Sequence, residues 1–453
     1  MGPVDRLSDV EALMWTLEED PHLSATFANI TLFDRPVDVA RFRRRMQRAL
    51  QVVPRLRQRV VPTLGGIAPP HWQDAPAVDL DVHVRRVALP SPGTDRQLFD
   101  LATEMARVPF DRERPLWEFT IFDGLAGGRG AMLQKIHHTI TDGEGGVRMS
   151  TQFIDLEADA PEPPLPEDAT PLDGPAGTGP VQQTIDATWQ AAQAVGELAT
   201  HPQRLPGIGV DALATARSLL RQLAVSDRAR SPAWSGRTLD RRFSALRVSF
   251  DDARRTAKAL GGSINDFFVA GAAGGVGAYH RALGHEVGEL RIAMPVSTRS
   301  DRSATGNAFA PSRVLVPTGA DPVARFAVVS ERLATVKVER ALSLAGALAG
   351  AVNLLPAPVL VRLARAGTAT VDFTTSNVRG APFELYIAGA RIASNHPMGP
   401  LGGTAWNLTT MSYNGSLDMG LNVDTGAVTH PELLHRCVEA AFTELVAAGR
   451  ELG

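Results

Sequence analysis

The densest grouping of reactive side chains is Lys135-Ile136-His137-His138-Thr139-Ile140-Thr141-Asp142-Gly143. The run from Gly130 to His138 predicts a β-strand, and Gly143 allows a tight turn into a following helix. Successive strand residues face opposite sides, so at most one of His137 and His138 can enter a given cleft. That geometry argues against a metal held by the pair. One of them suits a general base, because an imidazole of ordinary pKa ~6.5 is neutral and accepting near pH 7. Asp142 is placed to hold the loop by pairing with an arginine, with Arg299 a candidate partner. Two ordinary histidines beside a turn are the alternative, but the compound spacing HHxxxDG is far more specific than a pair.

Other candidates divide the same way. Asn265 and Asp266 open a predicted helix, where an amide could donate to developing negative charge or either residue could cap the helix. Pro115, Leu116 and Trp117 precede a predicted strand, and core packing is the usual fate of Leu and Trp. The single thiol, Cys437, lies on a predicted C-terminal helix far from these groups, and no G-x-S-x-G elbow occurs. A cysteine or serine nucleophile is therefore not expected.

These residues need a mixed scaffold to position them. Strands are predicted at Phe27 to Phe33, Phe119 to Phe122, Leu246 to Phe250, Leu290 to Val296, Val371 to Asn377, Phe383 to Ile387 and Leu408 to Tyr413. Helices are predicted over Val39 to Val52, Glu144 to Leu156, Asp251 to Leu260, Ile264 to Arg281 and Pro431 to Ala448. The run APEPPLPEDATPLDGPAGTGP reads as an exposed linker, with helical segments near Val181 to Thr200 and Val210 to Val225. The organisation expected is 1–160, an N-terminal domain bearing the histidines; 161–239, linker and crossover helices; and 240–453, a second α/β domain.

Composition narrows the class. The chain has 453 residues, 44% hydrophobic and 21% charged, enough for more than one folded domain. Net charge is -3, and only Lys135, Lys258 and Lys337 among the 46 basic residues are lysines, with no basic block that would mark a nucleic-acid partner. One cysteine excludes an internal disulfide framework and a Cys-based zinc site. The first ten residues carry Asp5, Arg6 and Asp9 and lack an apolar core, so no signal peptide is expected, and Arg6 breaks the myristoylation pattern. A cytoplasmic protein is expected. Ala341 to Val361 carries no formal charge, but Ser343, Asn353, Pro356 and Pro358 interrupt it, favouring a buried or half-buried helix over a lipid-docking patch.

HHxxxDG is the active-site motif of the CoA-dependent acyltransferase superfamily, and the rest of the chain resembles its wax ester synthase/diacylglycerol acyltransferase family. Pro115-Leu116-Trp117 is similar to that family's PLW motif and Asn265-Asp266 to its ND motif. Pro295 to Arg299, Gly306-Asn307, Ser376-Asn377-Val378, Ala388 to Arg391 and Ser412-Tyr413-Asn414-Gly415 continue the likeness in order. Arg379 departs from the family's usual proline and Ser263 from its usual threonine. The resemblance implies an α/β fold of two chloramphenicol-acetyltransferase-like domains with a helical crossover and an active-site channel between them. It implies acyl transfer from acyl-CoA to diacylglycerol or a long-chain alcohol, with His138 as base and no acyl-enzyme. His137, Asp142 and Gly143 would support that base, and Asn265 would act at the reaction centre. Pro115, Leu116, Trp117 and Asp266 would shape the substrate path. No metal or other cofactor is implied, since acyl-CoA is a substrate, and peripheral association with a membrane or lipid body follows from lipid substrates. The alternatives are another alcohol or amine acceptor, or a storage-body protein of low activity.

Overall fold

The computed structural model describes residues 5–63, 69–140, 146, 149–165, 230–297, 309–340 and 356–452. Asp142, Gly143, Arg299, the segment from 166 to 229 with its expected crossover helices, and 341–355 of the apolar stretch lie outside the described residues.

The first half builds one large sheet. Its chain order is α1 (Asp9–Leu17), β1 (Thr26–Phe33), α2 (Val39–Val52), β2 (Gln58–Val61), β3 (His71–Asp74), α3 (Leu80–His83), β4 (Val84–Ala88), α4 (Asp95–Arg107), β5 (Trp117–Leu125), β6 (Arg129–His137) and β7 (Ile154–Asp155). Local signals fix the elements. Ser8 and Glu11 form a capping box on α1, Asp38 caps α2, and Thr94 and Gln97 box the start of α4. Gly127 and Gly128, both at positive φ, turn β5 back into β6.

The second half runs β8 (Arg241–Ser249), α5 (Phe250–Ala259), α6 (Ile264–Ala282), β9 (Glu289–Ser297), β10 (Phe309–Pro317), α7 (Pro322–Arg340), α8 (Ala357–Thr368), β11 (Phe373–Arg379), β12 (Tyr386–Ile387), β13 (Ala390–Met398), β14 (Trp406–Tyr413), β15 (Ser416–Asp424) and α9 (Pro431–Leu452). α6 is buried nearly throughout. A Cβ on Gly271 would come within 2.2 Å of the Phe442 ring of α9, so the glycine allows the two helices to meet.

The strand orders are β4-β5-β6-β1-β13-β12-β7 and β10-β9-β11-β14-β15-β8, and β2 and β3 pair as a separate two-stranded sheet. Two strands of the second half, β12 and β13, therefore complete the first sheet, with β13 antiparallel to β1 through Ala28↔Met398 and Thr31↔Asn395. The segments that resembled family motifs turn this exchange. Ala388 and Gly389 at positive φ join β12 to β13, and Asn414-Gly415 closes the β14–β15 hairpin. The Tyr413 hydroxyl accepts from the Leu385 N–H at 2.9 Å and donates to the Ile392 carbonyl at 3.2 Å, tying β14 to the exchanged strands.

The first sheet is covered on both faces. Phe42, Met46, Trp117, Phe119, Ile136 and Phe153 pack on one, while Ile30, Leu98, Phe99, Phe122 and Leu133 pack on the other with Phe243 of β8. Phe99 and Phe243 meet edge to face at 5.5 Å, so α4 joins the two halves. The expected helix from Glu144 to Leu156 is corrected over its described end. Ile154–Asp155 is a short strand, and Asp155 is drawn to α2 by Arg41 at 2.9 Å and by Arg45.

Candidate active site

His137 is the last residue of β6, and its backbone N–H donates to the Leu116 carbonyl at 3.0 Å. Its side chain is buried, at 2% exposure, and both ring nitrogens are engaged. Nδ1 accepts from the Thr139 N–H at 3.1 Å and lies 2.8 Å from the Thr139 hydroxyl. An acceptor at Nδ1 puts the proton of a neutral ring on Nε2, which lies 3.1 Å from Glu18 Oε2 and donates to it. Neither nitrogen of His137 remains to take a proton from a substrate.

His138 occupies the turn that follows. Its N–H donates to the Ala25 carbonyl at 3.2 Å, and its half-buried ring packs on Phe27 with centroids 4.5 Å apart. Phe27 also lines a cavity of about 370 Å³ walled by residues from both halves of the chain. His138 is therefore less deeply buried than His137.

Glu18, just beyond α1, organises both histidines. Its carboxylate accepts from the Ser24 hydroxyl at 2.6 Å, from the Ala25 N–H at 2.6 Å and from His137. Burial raises its carboxyl pKa, but the donors from His137, Ser24 and Ala25 outweigh that effect and hold it below the ordinary value. Sequence reading missed Glu18. It lies 119 positions from His137, and the surrounding Leu17-Glu18-Glu19-Asp20 looks like a solvated acidic run.

The PLW residues stand behind this strand. Pro115 and Leu116 are buried, and Trp117 has no exposed surface. The Trp117 indole N–H donates to the Leu56 carbonyl at 2.8 Å, and its ring stacks on His83 at 4.5 Å. Trp117 pairs across the sheet with Ile136, so the motif buttresses the histidine strand from within the core.

In the second half, Asp266 acts on its own helix. Its buried Oδ2 accepts from the Ser263 N–H at 2.7 Å, the Ser263 hydroxyl at 2.8 Å and the Ser330 hydroxyl at 3.3 Å. That is a capping box, with Ser263 as the cap. Asn265 is half-buried in the first turn of α6, and its Oδ1 lies 3.5 Å from the Asn377 side-chain amide. The structure thus joins Asn265 to Asn377 in one half and His138 to Phe27 and Ala25 in the other. Asp142, Gly143 and Arg299 lie outside the described residues.

Comparison with known proteins agrees with this assembly. Residues 7–268 match the family model for the wax ester synthase/diacylglycerol acyltransferase catalytic domain, and residues 305–446 match the WS/DGAT C-terminal domain. A Mycobacterium tuberculosis H37Rv protein named "Putative diacyglycerol O-acyltransferase Rv2484c" is 36% identical over 458 residues, covering 98% of this chain and 92% of its own. In fold, the chain is similar to the wax ester synthase/diacylglycerol acyltransferase from Marinobacter aquaeolei VT8, with a TM-score of 0.68, 21% identity, and 98% and 99% of the two chains covered. It is also similar to the first condensation domain of the calcium-dependent antibiotic synthetase, with a TM-score of 0.61, 16% identity and 98% of each chain covered. The α/β architecture and the family matches over both halves lead to one assignment: the chain belongs to the wax ester synthase/diacylglycerol acyltransferase family and is an acyltransferase.

Proposed function

We propose that the enzyme transfers a long-chain acyl group from acyl-CoA to the hydroxyl of diacylglycerol, and to that of a fatty alcohol as a wax ester synthase. The observation that carries the assignment of the base is the contrast between the two histidines. His137 is buried, at 2% exposure, between Glu18 and Thr139, whereas His138 is half-buried in the turn after β6 with its ring against Phe27.

His138 takes the acceptor's hydroxyl proton as the oxygen attacks the thioester carbonyl. The tetrahedral intermediate collapses, the carbon–sulfur bond breaks, and the CoA thiolate leaves and recovers the proton from the imidazolium. No acyl-enzyme is needed when donor and acceptor bind together, and Cys437 on α9 is not required. Asn265 donates to the developing oxyanion, and the amide of Asn377 at its Oδ1 orients it. Asp142 and Gly143 shape the turn after His138, with Arg299 pairing the aspartate. No metal or other cofactor takes part, and the enzyme meets its lipids as a peripheral protein. Among the described residues no helix is long and apolar enough to cross a membrane.

The test is direct. Purified enzyme receives palmitoyl-CoA with diacylglycerol or hexadecanol, and free CoA and lipid ester are measured for the native protein and H138A. Ester formed by the native protein and lost in H138A supports the reading; CoA release unchanged in H138A overturns His138 as base. If neither lipid is esterified, the proposed acceptors are wrong.

A further inference from the structure

The segment that carries Ala25 is gripped from the other half of the chain. Between α1 and β1 the backbone makes a single helical turn over Pro21–Leu23, and the Asp20 side chain caps it by accepting from the His22 N–H at 3.0 Å. The partner of Asp20 is Arg365, 345 positions away on α8. Arg365 Nη2 donates to Asp20 Oδ1 at 3.0 Å and to His22 Nδ1 at 2.6 Å, while Nε donates to Asp20 Oδ2. The Asp20 side chain is only 10% exposed. Burial raises its carboxyl pKa, but Arg365 and the His22 N–H outweigh that effect and hold it below the ordinary value. A solvated ion pair contributes little, but a two-pronged guanidinium on a buried carboxylate fixes orientation as well as charge.

Packing reinforces the same contact. Leu23 is buried, and a Cβ on Gly403 would come within 2.6 Å of the Thr368 hydroxyl and 3.8 Å of Leu23. The end of α8, the Gly402-Gly403 turn and the Pro21–Leu23 turn therefore meet in one place. Just beyond that turn, the Ser24 hydroxyl and the Ala25 N–H donate to Glu18, and the Ala25 carbonyl takes the His138 N–H.

We propose that Arg365 is a positioning residue for the reaction: by clamping Asp20 it sets the turn from the second half and, through Ala25, the backbone of His138. The inference rests on the acyl-transfer reading above for its effect on turnover, and it adds a C-terminal residue that acts only through Asp20 and His22. Without the clamp the turn is held at its Glu18 end alone, and the imidazole loses its fixed distance to the acceptor hydroxyl. A displacement of about 1 Å at a reacting group costs roughly 100-fold in rate. Turnover should suffer more than substrate affinity.

Hydrogen exchange by mass spectrometry and steady-state kinetics test this on R365A, R365K, D20A and R365A/D20A. In R365A the peptides spanning 24–27 and 136–140 are expected to exchange about fivefold faster than in the native enzyme, with α9 unchanged. Its kcat should fall at least ~10-fold, and KM for donor and acceptor should change less than about twofold. R365K keeps the charge without the fork and should lie between R365A and native. R365A/D20A should be no slower than D20A, since both changes break one contact. R365Q replaces R365A if the latter loses the native circular dichroism spectrum. Native exchange in both peptides of a folded variant overturns the proposal, and so does an unchanged kcat where H138A is inactive. Faster exchange in R365A beside native turnover in H138A sustains the clamp and defeats the reading of His138 as base instead.

Discussion

Glu18 Oε2 and His137 Nε2 lie 3.1 Å apart, and the same carboxylate oxygen accepts the Ala25 N–H at 2.6 Å. The Ala25 carbonyl in turn receives the His138 N–H. One carboxylate therefore fixes the proton of the first histidine and, through a single residue, Ala25, the backbone of the second. We expect E18Q to lower kcat more than it raises KM. A glutamine amide keeps an acceptor for Ser24 or Ala25 but can place an N–H against the His137 N–H. A hydrogen bond to a charged group contributes about 1.5–3 kcal/mol, so kcat should fall roughly 10- to 100-fold. Steady-state kinetics check it, and an equal loss in E18A and E18Q would remove the tautomer argument.

The same carboxyl predicts an acid-side effect on stability. Its folded pKa is lowered from 4.5, so its stabilisation is complete above that value and is lost as pH falls through the lowered pKa. Denaturant melts of native protein and E18Q should converge toward low pH and separate above pH 5.

The two histidines should fail differently. H138A should lose roughly 10²–10⁴ in turnover, the usual contribution of a general base, with little change in thermal midpoint because the ring is half-exposed. H137A should lose stability as well, because Glu18 would keep a buried charge without its imidazole partner. Calorimetry beside kinetics separates the cases, and a turnover loss without destabilisation in H137A would contradict its supporting role.

Trp117 should behave as core. W117F removes the indole donor and leaves the Leu56 carbonyl unpaired, which costs about 1–3 kcal/mol of stability. The dependence of kcat/KM on acyl length should not change. A shifted length profile in folded W117F would instead make the PLW motif part of the substrate wall.

Two buried groups beside the exchanged strand oppose each other in pH. Burial pushes the Asp418 carboxyl up to about 6, and it pulls the His396 imidazole down to about 4. Between pH 4 and 6 the folded state holds the Asp418 proton more tightly than the unfolded chain, so that contribution falls as pH rises. His396 binds its proton less tightly when folded, so its contribution rises with pH through the same window. Each spans about 3 kcal/mol, and the native stability profile there should be shallow. In D418N the Asn395 N–H keeps an acceptor, only the rising limb remains, and chemical denaturation at intervals from pH 4 to 7 should show it.

The sequence exposed elements whose periodicity is local. The helix expected over Val39 to Val52 has those bounds, the expected Ile264 to Arg281 helix extends to Ala282, and the histidine strand is Arg129–His137. It did not expose β13. No strand is predicted over Asn395, His396 and Pro397, yet they are central in a sheet because Asn395 bonds Asn29 and Thr31 and takes its backbone acceptor from Asp418. Those partners are hundreds of positions away or on another strand, and no window of neighbouring residues contains them. Glu18 escaped for the same reason. The histidine motif was legible because its spacing is short; the groups that hold it are not.

The exchanged strand also sets a timetable for synthesis. β1 leaves the ribosome early with β6 as one neighbour, but its other edge is met only by β13, which ends at Met398. Most of the chain is translated before that edge is covered. An open edge with buried Ala28, Ile30 and Leu32 is a template for pairing with another nascent chain. Slow elongation or truncation before codon 398 should therefore yield chaperone-bound or aggregated product rather than a free first half.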